Sequence, residues 1–166
     1  MMKRVVPILL LASLSACGLR PVYSGGSHGA VAQALGHVDV QPIEGKGGWL
    51  VRNALNDRLS TIGGGGGPAY KLVVKLDDQI SGFGLRADTA ITRERRTLRA
   101  RYQLIDMATG TQVIDDTAGS DAGIDVTSSE YATIAAEDTA LERLSQTVAD
   151  QIVTRIALFA AREKQR

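Results

Sequence analysis

Arg93, Arg95, Arg99 and Arg101 fall on alternate positions of one short segment. In an extended chain all four guanidinium groups then leave from the same side. A planar guanidinium binds phosphate or carboxylate through two parallel hydrogen bonds, and like charges placed this close repel until an opposite charge meets them. Lys71 and Lys75 occupy the outward parity of the preceding extended segment and extend the same surface. The six cations are therefore predicted to receive a partner or ligand bearing phosphates or carboxylates. The plainer alternative is a solvated cationic strand that only discourages edge pairing. Arg96 lies on the opposite parity, which implies a bulge there or a solvated strand end.

Residues for bond-breaking chemistry are sparse. The chain holds two histidines, His28 and His37, and one cysteine, Cys17, so no His/Cys cluster has metal-ligand spacing. Asp115-Asp116 and Glu137-Asp138 bring acids together, but adjacent residues on a helix point apart, and a solvated face or a turn accounts for them. Gly45-Lys46-Gly47-Gly48 and the run from Gly63 to Gly67 both lack the G-x-x-x-x-G-K-[ST] spacing of a phosphate loop. No catalytic residue, metal site or cofactor is expected, apart from covalent lipid on Cys17.

That cysteine stands at the end of a secretory pattern. Lys3-Arg4 is followed by the apolar run from Val5 to Leu14 and then by Leu14-Ser15-Ala16-Cys17. A basic head, an apolar stretch and small residues before a cut form a signal peptide. The run is too short for the roughly 20 residues that cross a bilayer. A cysteine directly after the cut looks like a bacterial lipobox, so residues 1–16 are read as a signal peptide and Cys17 as a lipidated N-terminus. Acyl chains contribute about 0.8 kcal/mol per buried CH₂, and two or more hold a protein firmly on a membrane. Removing 16 of the 166 residues leaves 150, enough for one domain with a real core. Losing Lys3 and Arg4 lowers the basic count from 19 to 17 against 18 acids, a balance that excludes wholesale nucleic-acid binding.

The elements that position the cations follow from periodicity. Residues 17–36 include the Gly/Ser stretch Ser24 to Gly29 and read as a flexible tether; residues 37–166 read as a single domain. His37 to Ile43 alternates apolar and polar residues as a half-buried strand does. Glu44 to Gly48 reads as a Gly-rich turn. Val51, Leu55, Leu59 and Ile62 mark an amphipathic helix from Trp49 to Ile62, and the Gly63 to Gly67 run with Pro68 stops it. Ala69 to Ile80 alternates again, with a turn at Ser81 to Gly84. A long strand from about Ala87 to Asp106 carries Leu98, Ala100, Tyr102 and Leu104 on the face opposite the arginines. Ala108-Thr109-Gly110-Thr111 is a hairpin turn, Gln112 to Ala118 a shorter strand, and Asp121 to Ser128 a loop. From the N-cap Ser129, a helix runs to about Arg162 on the stripe Ile134, Leu141, Leu144, Val148, Ile152, Ile156 and Phe159. One apolar stripe per helix and one apolar parity per strand give a two-layer α+β sandwich: a mixed four-stranded sheet with two helices on one face. The other face is left open, with the cations on it.

Two stretches carry a family resemblance. Cys17-Gly18-Leu19-Arg20-Pro21-Val22-Tyr23 after the lipobox resembles the opening of the LPS-assembly lipoproteins, the LptE family. The later half resembles its alphaproteobacterial members: an Arg-rich strand ending Tyr102-Gln103-Leu104-Ile105-Asp106, a Thr109-Gly110 turn, then a helix with Tyr131-Ala132, Ala135-Ala136-Glu137-Asp138 and Ala149-Asp150-Gln151-Ile152. The resemblance implies a non-catalytic lipoprotein, carrying palmitate on Cys17, at the periplasmic face of the outer membrane. It implies a place as a plug inside the LptD β-barrel, help in that barrel's assembly, and contact with lipopolysaccharide (LPS) through basic residues of the sheet. The alternative is an auxiliary lipoprotein of an ABC-type envelope lipid transport system.

Overall fold

The computed structural model describes residues 35–60, 67, 69–85 and 91–163; the signal peptide, Cys17 and most of the tether and Gly run lie outside them. The order of elements is β1 (Val38–Val40), α1 (Gly45–Ser60), β2 (Tyr70–Leu85), β3 (Ile91–Asp106), β4 (Gln112–Asp125) and α2 (Glu130–Glu163). The strands form one sheet in the order β1-β2-β3-β4. β1 and β2 are parallel, joined through α1, and the remaining pairs are antiparallel. Both helices lie on one face, as the apolar parities require. No helix among the described residues is long and apolar enough to cross a membrane.

The core is aliphatic. Val51, Leu55 and Leu59 of α1 and Leu144, Val148, Ile152 and Ile156 of α2 are buried against Leu72, Val74, Leu98, Ala100, Tyr102 and Leu104 of the sheet. Burial first, and the Asp116 charge second, push the Tyr102 phenol up to about 12, so it stays neutral. Leu35, in the segment read as tether, is also fully buried, so the packed body includes it. Ser129 caps α2, its Oγ accepting from the Ala132 amide at 3.4 Å. At 1.5 Å per residue, the 34 residues of α2 extend about 50 Å, which matches a strand of 16 residues at ~3.3 Å each.

Several boundaries differ from the periodicity-based expectation, each for a local reason. β1 stops at Val40 because Pro42 supplies no donor for the ladder. The Gly-rich turn before α1 is the first turn of that helix. Gly48 is buried so close to Ile43 that a Cβ would stand 2.5 Å from the Ile43 carbonyl oxygen, and only glycine lets the turn lie there. The expected turn at Ser81 to Gly84 is strand, paired onward to Leu85↔Ile91. Gly84 is skipped in that register and takes φ +79°, with Thr92 Oγ1 donating to its carbonyl at 3.1 Å. β4 does not end at Ala118 but runs to Asp125, since Gly119 and Gly123 pair with Arg99 and Arg95. Ile134 is 49% exposed, and Thr133 is buried in its place, because positions 133, 137, 140, 144 and 148 line up on a 3.6-residue helix.

Side chains also fasten the two layers. Lys46 Nζ lies 2.7 Å from Asp138, and Arg58 pairs with Asp150, tying α1 to α2. Arg155 meets Asp116 at 3.0 Å and joins α2 to β4. At the outer edge of β4, Gln151 serves both backbone groups of Gly119: its Oε1 accepts from the amide at 2.9 Å and its Nε2 donates to the carbonyl at 3.3 Å.

Candidate ligand-binding face

The register puts all six predicted cations on the uncovered face. Directly opposed residues in an antiparallel pair share a face. Lys75 is opposite Arg101, Lys71 opposite Ile105, and Arg93 opposite Phe83. The arginine row from Arg93 to Arg101 spans roughly 26 Å at 3.3 Å per residue. Arg93 and Arg101 are well exposed, at 65% and 69%. Lys75 and Arg101, with Val73 and Gln103, line a shallow depression of about 240 Å³ whose floor is partly aliphatic. Arg95 lies over the Phe83 ring, 5.4 Å from its centroid, a cation–π contact that fixes the guanidinium near the hairpin end.

The row does not stand unopposed. β4 answers it with a second row, of carboxylates on the same face. Arg101 donates to both oxygens of Asp115, Nε at 3.2 Å and Nη2 at 3.0 Å. Arg93 Nε donates to Asp125 at 3.1 Å, and Arg95 Nε stands 3.9 Å from Asp121. The guanidinium of Arg101 holds the Asp115 carboxyl below the usual carboxylate range, and the same hydrogen bond raises Arg101. Together with Asp77 and with Asp39, which stands beside Lys71 on β1, the face carries five carboxylates against six cations. It is cationic on balance, but much less so than the arginines alone suggest.

Arg99 is the exception. It has no carboxylate within ion-pair distance among the described residues. Its cross-strand neighbour on β2, Asp77, instead accepts from Gln79 Nε2 at 3.1 and 3.2 Å. On the other side stands Gly119, and Arg99 lies across it.

Arg96 corrects the expectation of a bulge or a solvated end. Its register is continuous with Ile80 and Ala122, and the irregularity in β3 falls at Leu104/Ile105 instead. The side chain points under α2 and is 11% exposed. Nε and Nη2 donate to Asp78 at 2.8 and 2.6 Å, and Nη1 donates to the Glu137 carbonyl at 2.9 Å. The Asp78 bond raises Arg96 further above its usual range despite burial.

The carboxylates Asp121 and Asp125 were placed in a loop by the sequence, and Asp115 in a turn or on a solvated face. The signal that finds them is their shared odd parity facing the odd-numbered arginines, masked by the two glycines of β4. Among the described residues, no group of three or more His, Cys, Asp or Glu side chains is placed to hold a metal ion. Cys17 lies outside the described residues.

A family model described as LptE, lipopolysaccharide-assembly, matches residues 35–156, from the last tether residues through most of α2. Among solved structures, a lipoprotein of Caulobacter crescentus CB15 is 26% identical, with a TM-score of 0.64 over 81% of this chain and 98% of its own. Rare lipoprotein B of Shewanella oneidensis is 11% identical, with a TM-score of 0.60 over 76% of this chain and 96% of its own. Lipoprotein B of Nitrosomonas europaea is 13% identical, with a TM-score of 0.57 over 79% and 88%. The last two share the fold. No curated protein matches the chain in sequence. A family match over well more than half of the sequence, on a fold with the expected layers, shows that the chain belongs to the LptE family of lipopolysaccharide-assembly lipoproteins.

Proposed function

We propose that this protein sits at the periplasmic face of the outer membrane, anchored by lipid on Cys17, and partners an LptD-type β-barrel. It plugs that barrel, helps it assemble, and meets LPS with the open sheet face as LPS enters the outer leaflet. The observation that carries the LPS contact is the row of Arg93, Arg95, Arg99 and Arg101, flanked by Lys75, on the one sheet face that no helix covers. Membership of the LptE family supports the rest. The groups gathered on the face are cations and carboxylates held in ion pairs or hydrogen bonds, which suit binding; no catalytic step is assigned to them.

Affinity purification from detergent-solubilised outer membranes tests the partner. Co-recovery of a large β-barrel is expected, and recovery of an inner-membrane transporter in its place would overturn the reading. For the anchor, C17A should leave the protein in the periplasmic fraction without palmitate label; a membrane-bound, labelled C17A protein refutes it. For the face, R99A/R101A should weaken LPS binding by roughly three- to tenfold, since charge-assisted hydrogen bonds contribute less on an exposed surface than when shielded. Unchanged binding by a folded double variant removes LPS from this face.

A further inference from the structure

The β4 carboxylates take the positions that a ligand's anionic groups would take. Asp115 fills the guanidinium fork of Arg101 with two oxygens, the same geometry a phosphate uses. Asp125 accepts a single hydrogen bond from Arg93 Nε at 3.1 Å, and Asp121 stands 3.9 Å from Arg95 Nε as a looser ion pair. Of the four arginines in the row, Arg99 alone has no such partner among the described residues, lying over Gly119, where no side chain competes for its space. We propose that this carboxylate row is a built-in substitute for the phosphates of a glycolipid, so that LPS is taken up by exchange. An arriving phosphate first engages Arg99, and further phosphates then displace Asp115, Asp121 or Asp125 from their arginines. The inference rests on the reading of this face as an LPS contact.

Exchange has an energetic consequence opposite to that of a simple anion site. Beyond Arg99, each new contact replaces an existing one, so the net gain is small and release is as easy as capture, which suits a protein that passes its ligand on. Removing a competing carboxylate then tightens binding.

The experiment measures LPS binding by the full-length lipidated protein in non-ionic detergent, for wild type, D115N, D77N and the triple variant D115N/D121N/D125N. Exposed ion pairs of this type contribute modestly, so D115N should tighten binding about threefold and the triple variant about tenfold. D77N removes a charge from the same face without freeing an arginine, and should change affinity less than D115N. Equal effects of D115N and D77N would show a general field effect and overturn the exchange. So would unchanged or weaker binding in the triple variant while wild type binds. Failure of every form to bind would instead sink the LPS-contact reading itself. Inorganic pyrophosphate is titrated in parallel. Competition at concentrations well above that of LPS supports a lipid headgroup phosphate as the exchanged group. Affinity equal to that of LPS would assign the face to free phosphate and overturn the lipid assignment, and no competition would overturn phosphate exchange.

Discussion

Arg99 lies flat across Gly119, so close that a Cβ on the glycine would stand 2.5 Å from Arg99 Nη1 and 2.6 Å from its Cδ. The two residues are paired across β3 and β4, and the Gly119 amide points away, to Gln151. They form a non-hydrogen-bonded pair, the kind in which opposed Cα atoms approach to about 4.5 Å. G119A therefore has two opposed effects. It gains about 0.5–1 kcal/mol by restricting the unfolded chain, and it displaces Arg99 and crowds the Leu98 carbonyl, 3.0 Å from the new Cβ. The expected result is a melting temperature within a few degrees of wild type, with a clear shift of the Arg99 Nε–Hε resonance by NMR. An unmoved resonance would show that Arg99 does not rest there.

Arg96 and Arg93 stand three residues apart on opposite faces, and their ion pairs should differ sharply in weight. The Arg96–Asp78 pair is largely shielded, at 11% and 28% side-chain exposure, whereas Arg93–Asp125 is open to water. R96A should cost about 1–3 kcal/mol, since it removes both hydrogen bonds to Asp78 and leaves that carboxylate unpaired beside α2. R93A should cost less than about 1 kcal/mol. Urea denaturation of the two variants checks the ranking, and equal losses would contradict the placement of Arg96.

Glu137 provides a pH-dependent test. Its carboxyl is raised from the usual 4.5, first by desolvation and next by the Glu94 charge and hydrogen bond, against a smaller opposing pull from Arg96. One oxygen of that neighbour, Glu94 Oε2, is buried and takes no hydrogen bond from the described residues. A raised acid favours the folded state below its ordinary value and loses that contribution as pH rises through its folded value. E137Q, which removes the ionisation, should therefore raise the melting temperature at pH 7 and leave it nearly unchanged at pH 4. The opposite pattern would mean that Glu137 is stabilised as a carboxylate.

Leu144 and Val148 are buried at the centre of the α2 stripe. L144D or V148D puts an unpaired charge beneath the sheet, and losses of at least about 3 kcal/mol are expected on top of the lost apolar packing. Far-UV circular dichroism during a thermal scan should show a body unfolded or nearly so at 37 °C. A native-like transition would displace the stripe.

The layers, the two helices, the parallel crossover and the cationic face were legible because period-two and period-3.6 patterns report directly on what is covered. Leu98, Ala100, Tyr102 and Leu104 could face only the helices, and that fixed the side taken by Arg99 and Arg101. Glycine misled the boundaries. Gly47, Gly48, Gly82, Gly84 and Gly119 read locally as turns or strand ends, yet each lies inside an element, and at Gly48, Gly84 and Gly119 a Cβ would come within 3 Å of a neighbour. Because β4 then seemed to end at Ala118, Asp121 and Asp125 were lost from the face, and the arginines looked unopposed. Arg96 escaped for a different reason. An inward charge is legible only once its partner is known, and Asp78 and α2 are remote from it in sequence.

Gln151 reaches β4 from α2 and satisfies both backbone groups of Gly119, as a residue of a fifth strand would. An outermost strand of 14 residues offers a template on which a second polypeptide can polymerise. With its middle rung already occupied, an invading chain would have to pair in two separated halves or first pry away a side chain of the long helix. The Gln151 amide thus interrupts continuous pairing along a border that carries neither lysine nor proline.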